Sequence, residues 1–212
     1  MFTKIDFDQW ERKDHYEYYT KLLPCSYSLT AKLDVTTLYK TVKEKGYRFY
    51  PAVVYCVTKA LNMRKEFRMA VNAEGEVGYW DQVHPNFTIF HEDDHTFSDV
   101  WTNYHEEFES FYGEMVEVME TYKDKKGVKV REGQPPNFYC ISCVPWISFT
   151  GYESHVAGRP AALFPIITFG KYEMNGERME MPMTLSISHA AADGYHTSQL
   201  FLLIQEIMDQ FR

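Results

Sequence analysis

The sequence predicts an α+β fold, a mixed β-sheet covered by helices. Segments in which apolar and polar residues alternate sit beside segments with apolar residues at helical spacing. The two kinds do not recur as strand–helix–strand units, which argues against a regular parallel α/β sheet. The 212 residues hold no internal repeat, long linker or low-complexity tract. A single domain over 1–212 is therefore expected, long enough to bury a substantial core.

Gln9 to Leu23 reads as an amphipathic, aromatic-rich helix ended by Pro24. Cys25 to Val35 alternates, with Tyr27, Leu29, Ala31 and Leu33 on one face of a strand. A short helix follows over Thr36 to Glu44. Tyr50 to Asn62 is a buried helix with Pro51 in its first turn, a position proline tolerates. Met69 to Asn72 and Val77 to Trp80 flank Ala73-Glu74-Gly75-Glu76 as a hairpin. Asn86 to Phe90 is a short strand, and Asn103 to Tyr122 a helix with Phe108, Phe111, Met115, Val118 and Met119 on one side. Lys123 to Pro136 is a charged loop. Phe138 to Val144, Leu163 to Tyr172 and Met181 to His189 read as strands, and Gly194 to Phe211 as the last helix.

A net charge of −8 excludes a general nucleic-acid binder, which needs a basic face. The 17% aromatic content favours large packed surfaces and flat pockets. The N-terminus lacks the apolar run of a signal peptide, and no stretch is long enough to span a membrane. The four cysteines are expected as free thiols in a cytoplasmic protein.

The most informative stretch is Ser188-His189-Ala190-Ala191-Ala192-Asp193-Gly194-Tyr195-His196. Met183, Leu185, Ile187 and His189 share a strand face. Two readings of His189 stand at this point. It ends a core face while Asp193 merely caps the last helix, or it is a general base near its ordinary pKa. His91-Glu92-Asp93-Asp94-His95 matches the zinc-protease pattern, but that chemistry needs a helix, and adjacent aspartates after a strand read as an acidic loop. Cys140-Ile141-Ser142-Cys143 matches a redox motif, yet in a strand the two thiols point to opposite faces. No metal is expected. Arg12 gains interest only if it clamps Asp193.

The chain resembles the chloramphenicol acetyltransferases along essentially its whole length. The family's C-terminal signature, His-His-x-x-x-Asp-Gly-Phe/Tyr-His, is matched by His189, Asp193, Gly194, Tyr195 and His196. Other blocks match in order: Trp10 with Arg12, Tyr19, Leu22 to Cys25, Ser28 to Thr30, Tyr50-Pro51 and Phe67-Arg68. Further along come Phe90-His91, Thr96 to Ser98, Ile141-Ser142, Pro145-Trp146, Pro165 to Thr168 and Lys171-Tyr172.

The resemblance implies a two-layer sandwich that assembles as a homotrimer with active sites between subunits. Acetyl-CoA would be the co-substrate and a small hydroxylated molecule such as chloramphenicol the acceptor. His189 would be the base, facing Ser142, Thr168 and Tyr19 of a neighbouring subunit. Ser142 would stabilise the oxyanion, Thr168 would hold a water, and Asp193 would pair with Arg12 to shape the loop. Tyr19, Leu23, Phe97, Tyr152, Ser154 and Val156 would line the acceptor pocket, with Tyr172 and Trp146 toward coenzyme A. Ser188 replaces the family's first histidine. Lys129 and Ser154 stand near positions that are commonly phenylalanine and leucine, so a different, more polar acceptor is an alternative; the loss of the paired histidine at Ser188 motivates another, a trimer that binds drug without turnover. Dihydrolipoyl acyltransferases share the His-x-x-x-Asp-Gly motif but normally carry upstream lipoyl modules, so a free-standing enzyme is expected.

Overall fold

The computed structural model describes residues 1–154 and 162–212. Two sheets and five α-helices make up the described chain. In chain order these are β1 (Phe2–Lys4), α1 (Lys13–Glu17), β2 (Ser26–Asp34), α2 (Thr36–Glu44), α3 (Phe49–Asn62), β3 (Met69–Val71) and β4 (Val77–Trp80). Then come β5 (His84–His91), β6 (Thr96–Trp101), α4 (Phe108–Tyr122), β7 (Phe138–Val144), β8 (Ile166–Gly170), β9 (Glu173–Asn175), β10 (Arg178–Ser188) and α5 (Gly194–Asp209).

The large sheet runs β2-β10-β8-β7-β5-β6, with β9 alongside β10. Its pairs are antiparallel except β5 with β7 and β7 with β8, so the sheet is mixed as predicted. The small sheet, β1-β4-β3, carries the predicted hairpin. In its turn the Asn72 side chain accepts from the Glu74 and Glu76 amides, and Gly75 takes φ 80°, a conformation that favours glycine.

Period-two alternation gives the large sheet two different faces. One carries Leu185, Ile167, Ile141, Phe87 and Val100 in a row across neighbouring strands, all essentially buried. Helices cover this face: α3 touches α2, α4, α5 and β5. Burying five such side chains contributes on the order of 10 kcal/mol before conformational entropy is subtracted. The other face carries a row of polar residues, Thr30, Thr184, Thr168, Ser142, Thr88 and Asp99. There the hydroxyls satisfy one another: Thr30 with Thr184 at 2.6 Å, and Ser28 with Ser186 at 2.6 Å.

Several expectations need correction. The predicted helix over Gln9 to Leu23 is helical only from Lys13, and from Tyr18 to Leu22 it widens into a π-helical turn closed by the Leu23 amide on the Tyr18 carbonyl at 2.9 Å. Phe7 packs edge to face against Trp10 and Tyr16, and Trp10 is tilted against Tyr16, each pair with centroids 5.6 Å apart; this packing overrides helical propensity before Lys13. The predicted helix at Asn103 starts instead at Phe108, because Glu114 takes both the backbone and side-chain N–H of Asn103 while His84 takes the Tyr104 amide. The strand expected over Leu163 to Tyr172 is confined to Ile166–Gly170, while the last strand starts earlier, at Arg178. Finally, β1, β6 and β9 carry no sequence signal strong enough to mark them.

Candidate active site

His189 follows the last residue of β10, where the chain leaves the sheet. The Ala191 and Ala192 amides donate to the Ser188 carbonyl, folding the three alanines into a turn buried under the core. Ser188, in place of the family's first histidine, is itself buried, and its hydroxyl accepts from the Ala190 amide at 3.3 Å. The turn delivers Asp193 to the N-terminus of α5. There its carboxylate accepts from the Tyr195 and His196 amides, and His196 reaches back to the Asp193 amide to complete a capping box.

Arg12 closes the arrangement from the other end of the chain. Its Nη1 donates to Asp193 Oδ2 at 2.6 Å and its Nη2 to the His189 carbonyl at 3.5 Å. Burial alone would push the Asp193 carboxyl up. The Arg12 and His196 contacts outweigh it and hold the carboxyl at about 2. Asp193 is therefore ionised at neutral pH and committed to Arg12 and His196. It orients the loop and does not contact His189 as a proton relay.

Two tyrosines pack against the His189 ring. Tyr19, on the π-helical turn, stacks on it with centroids 4.0 Å apart and planes 10° apart; Tyr27 of β2 leans against it at 5.1 Å. Tyr27 is fixed in turn by a 2.5 Å hydrogen bond to Thr197 of α5. The His189 amide donates to the Cys25 carbonyl. Nδ1 of His189 is buried and has no hydrogen-bond partner among the described residues. Such an imidazole is held in place by ring stacking and a backbone hydrogen bond.

Ser142 lies on the polar face of the large sheet, between Thr168 on β8 and Thr88 on β5, whose hydroxyl is 3.3 Å from its Oγ. Thr168 is opposite Thr184 of β10, and from Thr184 to His189 is about 17 Å of extended chain. Ser142 and Thr168 also face away from the side to which Met183, Leu185 and Ile187 point. One chain thus holds the two halves of the predicted constellation apart.

The family's sequence model matches residues 1–205 under the description "Chloramphenicol acetyltransferase". The chain belongs to the chloramphenicol acetyltransferase family. It is accordingly an enzyme of the acyltransferase class. The chloramphenicol acetyltransferase of Clostridium perfringens is 37% identical over 210 residues, covering 99% of this chain and 96% of that protein. The Staphylococcus aureus chloramphenicol acetyltransferase is 36% identical over 209 residues, covering 99% and 96%. A solved chloramphenicol acetyltransferase superposes with a TM-score of 0.86 over 98% of this chain and 100% of that one, at 22% identity. The Azotobacter vinelandii dihydrolipoamide acetyltransferase shares the fold at a TM-score of 0.69 and 17% identity, over 89% and 83%.

For a chloramphenicol acetyltransferase family member, the remaining predicted residues fall into separate groups. Leu23 ends the π-helical turn beside Tyr19 and is exposed. Tyr19 stacks on the His189 of its own chain, which corrects its expected place across a subunit boundary. Phe97 projects on the polar face, 52% exposed, opposite Phe90. Trp146 packs edge-on against that same Phe90 at 4.7 Å. Tyr152 lies beside Ser28 and Thr30 in a cleft of about 400 Å³, with Ser154 further along the same loop and half-buried. Val156 lies outside the described residues. Tyr172 packs against Tyr39 and Phe49, and the Tyr39 contact and burial push its phenol up.

His91 ends β5, buried and bonded to Ser98 at 2.8 Å, while Glu92 to His95 form the turn into β6; the zinc-protease helix does not exist. Cys140 and Cys143 point to opposite faces of β7, and burial pushes their thiols up to about 11 and about 12. Three residues near the site had no role assigned from sequence. His196 had a readable signal, its capping spacing to Asp193. Tyr27 had a weaker one, the strand face it shares with Leu29. Thr88 had none, because only the parallel register of β5 on β7 sets it beside Ser142.

Proposed function

We propose that the chain transfers acetyl from acetyl-CoA to a hydroxyl of chloramphenicol or a similar small acceptor, at sites completed between copies of a homotrimer. The observation that carries this reading is the His189 ring, packed against Tyr19 and Tyr27 on a loop fixed by Arg12 and Asp193, its Nδ1 without a hydrogen-bond partner among the described residues. The family membership supports the reaction class. The separation of His189 from Ser142 within one chain supports a site shared between copies.

In this mechanism His189 removes the acceptor's hydroxyl proton as the oxygen attacks the thioester carbonyl. The Ser142 hydroxyl of a neighbouring copy donates to the oxyanion of the tetrahedral intermediate. Thr88 is positioned to accept or donate behind Ser142 and so to orient that hydroxyl. Thr168 holds a water near the reacting carbon. Collapse breaks the carbon–sulfur bond, and the departing thiolate takes the proton from His189. Arg12 and Asp193 keep the imidazole in position without joining the proton transfer.

Thiol release from acetyl-CoA, with and without chloramphenicol, tests the reading. Release that needs the drug and falls by several orders of magnitude in His189→Ala is expected. Ser142→Ala should lose about 10²–10³-fold in kcat, the usual effect of removing one oxyanion donor. Drug-independent or absent release with every phenicol would overturn the assignment of acceptor.

A further inference from the structure

The polar row that carries Ser142 ends in a carboxylate. Asp99 of β6 is directly opposite Thr88, and Thr88 is the hydroxyl bonded to Ser142. Asp99 is thus two strand spacings, about 10 Å, from the oxyanion position, within the length of a drug-sized acceptor. Phe97, exposed and expected to line the acceptor pocket, is the next residue of β6 on the same face. The loop after α4 joins here: the Asp99 amide donates to the Val128 carbonyl at 2.5 Å, and Lys129 bridges to Asp99 as a parallel neighbour.

The Asp99 side chain is half-buried, and among the described residues it has no ion-pair partner. Lys129, the nearest candidate, instead donates to Gln134 at 2.9 Å and sits 5.8 Å over the Phe138 ring. Burial pushes the Asp99 carboxyl up, while the Asn86 amide and the more distant Lys129 charge pull the other way. A carboxylate in this state gains from an incoming cation or strong donor, which would supply the pairing it lacks. An apolar group seated there would bury it further, at a cost.

We propose that Asp99 is a specificity-determining residue of the acceptor pocket and that it favours acceptors bearing a protonated amine about 10 Å from the reacting hydroxyl. The inference rests on the proposed acetyl transfer, since it takes Ser142 as the point where the acceptor reacts. It extends that reading by naming the chemical class preferred, hydroxylated amines over neutral apolar alcohols.

Binding measured by calorimetry on the whole protein tests it without requiring turnover. The two probes are chloramphenicol and its analogue with an aminomethyl group in place of the aryl nitro group, which carries a protonated amine at the far end of the molecule from the hydroxyls. Asp99→Asn keeps the shape and removes the charge, and its unfolding temperature and circular dichroism verify that the fold is retained. The wild-type preference for the amine should shrink about tenfold or more in Asp99→Asn, the scale of one charge-assisted contact. A ratio of the two affinities unchanged by Asp99→Asn overturns the proposal, as does failure of the amine to bind the wild type. Acetyl transfer to chloramphenicol in the same preparation would leave the proposed reaction standing in either case.

Discussion

Arg12 and Asp193 tie the two ends of the chain to the loop that carries His189. The pair is part-buried, with Arg12 side-chain exposure at 15% and Asp193 at 29%. Removing one partner leaves the other under-satisfied, so Arg12→Met should destabilise by about 1–3 kcal/mol in urea unfolding. The pH dependence follows from the sign of the Asp193 shift. Its folded pKa, about 2, is below that of an unfolded carboxyl. The contribution is therefore fully present above about pH 4 and lost as pH falls toward 2. Urea midpoints measured from pH 5 downward should fall less steeply in Arg12→Met than in the wild type. His189, Asp193 and Arg12 were all legible as residues, because the His-x-x-x-Asp-Gly spacing and the opening Trp10-x-Arg12 are local patterns. The stack on Tyr19 was not legible, since a π-helical turn rotates side chains off the face that an α-helical count assigns them.

Elements with strong periodicity formed as the sequence implied. The last helix, the Pro51 helix and strands β2 and β7 lie within a few residues of their predicted bounds, since one buried face determines each. The short strands were hidden by length. β1 exists because β4 offers it an edge and because Gly78 has no side chain. A Cβ at Gly78 would run into the Thr3 carbonyl and approach the Phe2 ring to 2.5 Å. Gly78→Ala should therefore lift β1 from the sheet, and amide exchange at Phe2 to Lys4 should accelerate while β10 stays protected. If β1 protection persisted, the glycine would not be what admits the strand. Gly170 is a second close approach: a Cβ there would meet the Phe149 ring at 2.8 Å, which lets the segment after Trp146 cross the end of β8.

Across the whole molecule, one sheet serves two purposes. Its apolar face anchors the helices, and its polar face presents Thr168, Ser142, Thr88 and Asp99 in line. The His189 loop is at the far end of β10, so a single chain does not juxtapose His189 and Ser142. The proposed trimer would do so by setting one copy's loop against another copy's polar face. Co-assembled His189→Ala and Ser142→Ala chains then have a defined outcome. Mixed trimers recover activity at interfaces where an intact loop meets an intact face, above the residual activity of either variant alone. No recovery on mixing would place both residues in a site within one chain.

The sequence by itself determined the family and the mixed architecture and singled out the candidate site residues, because signature spacing and hydrophobic period are local. Only the tertiary structure decided what surrounds them. Tyr19 and Tyr27 meet His189, and Thr88 and Asp99 join Ser142, through strand register and an irregular helical turn. Local periodicity determines which face a side chain takes. Its neighbour on that face depends on pairing between segments far apart in the chain, which local periodicity does not encode.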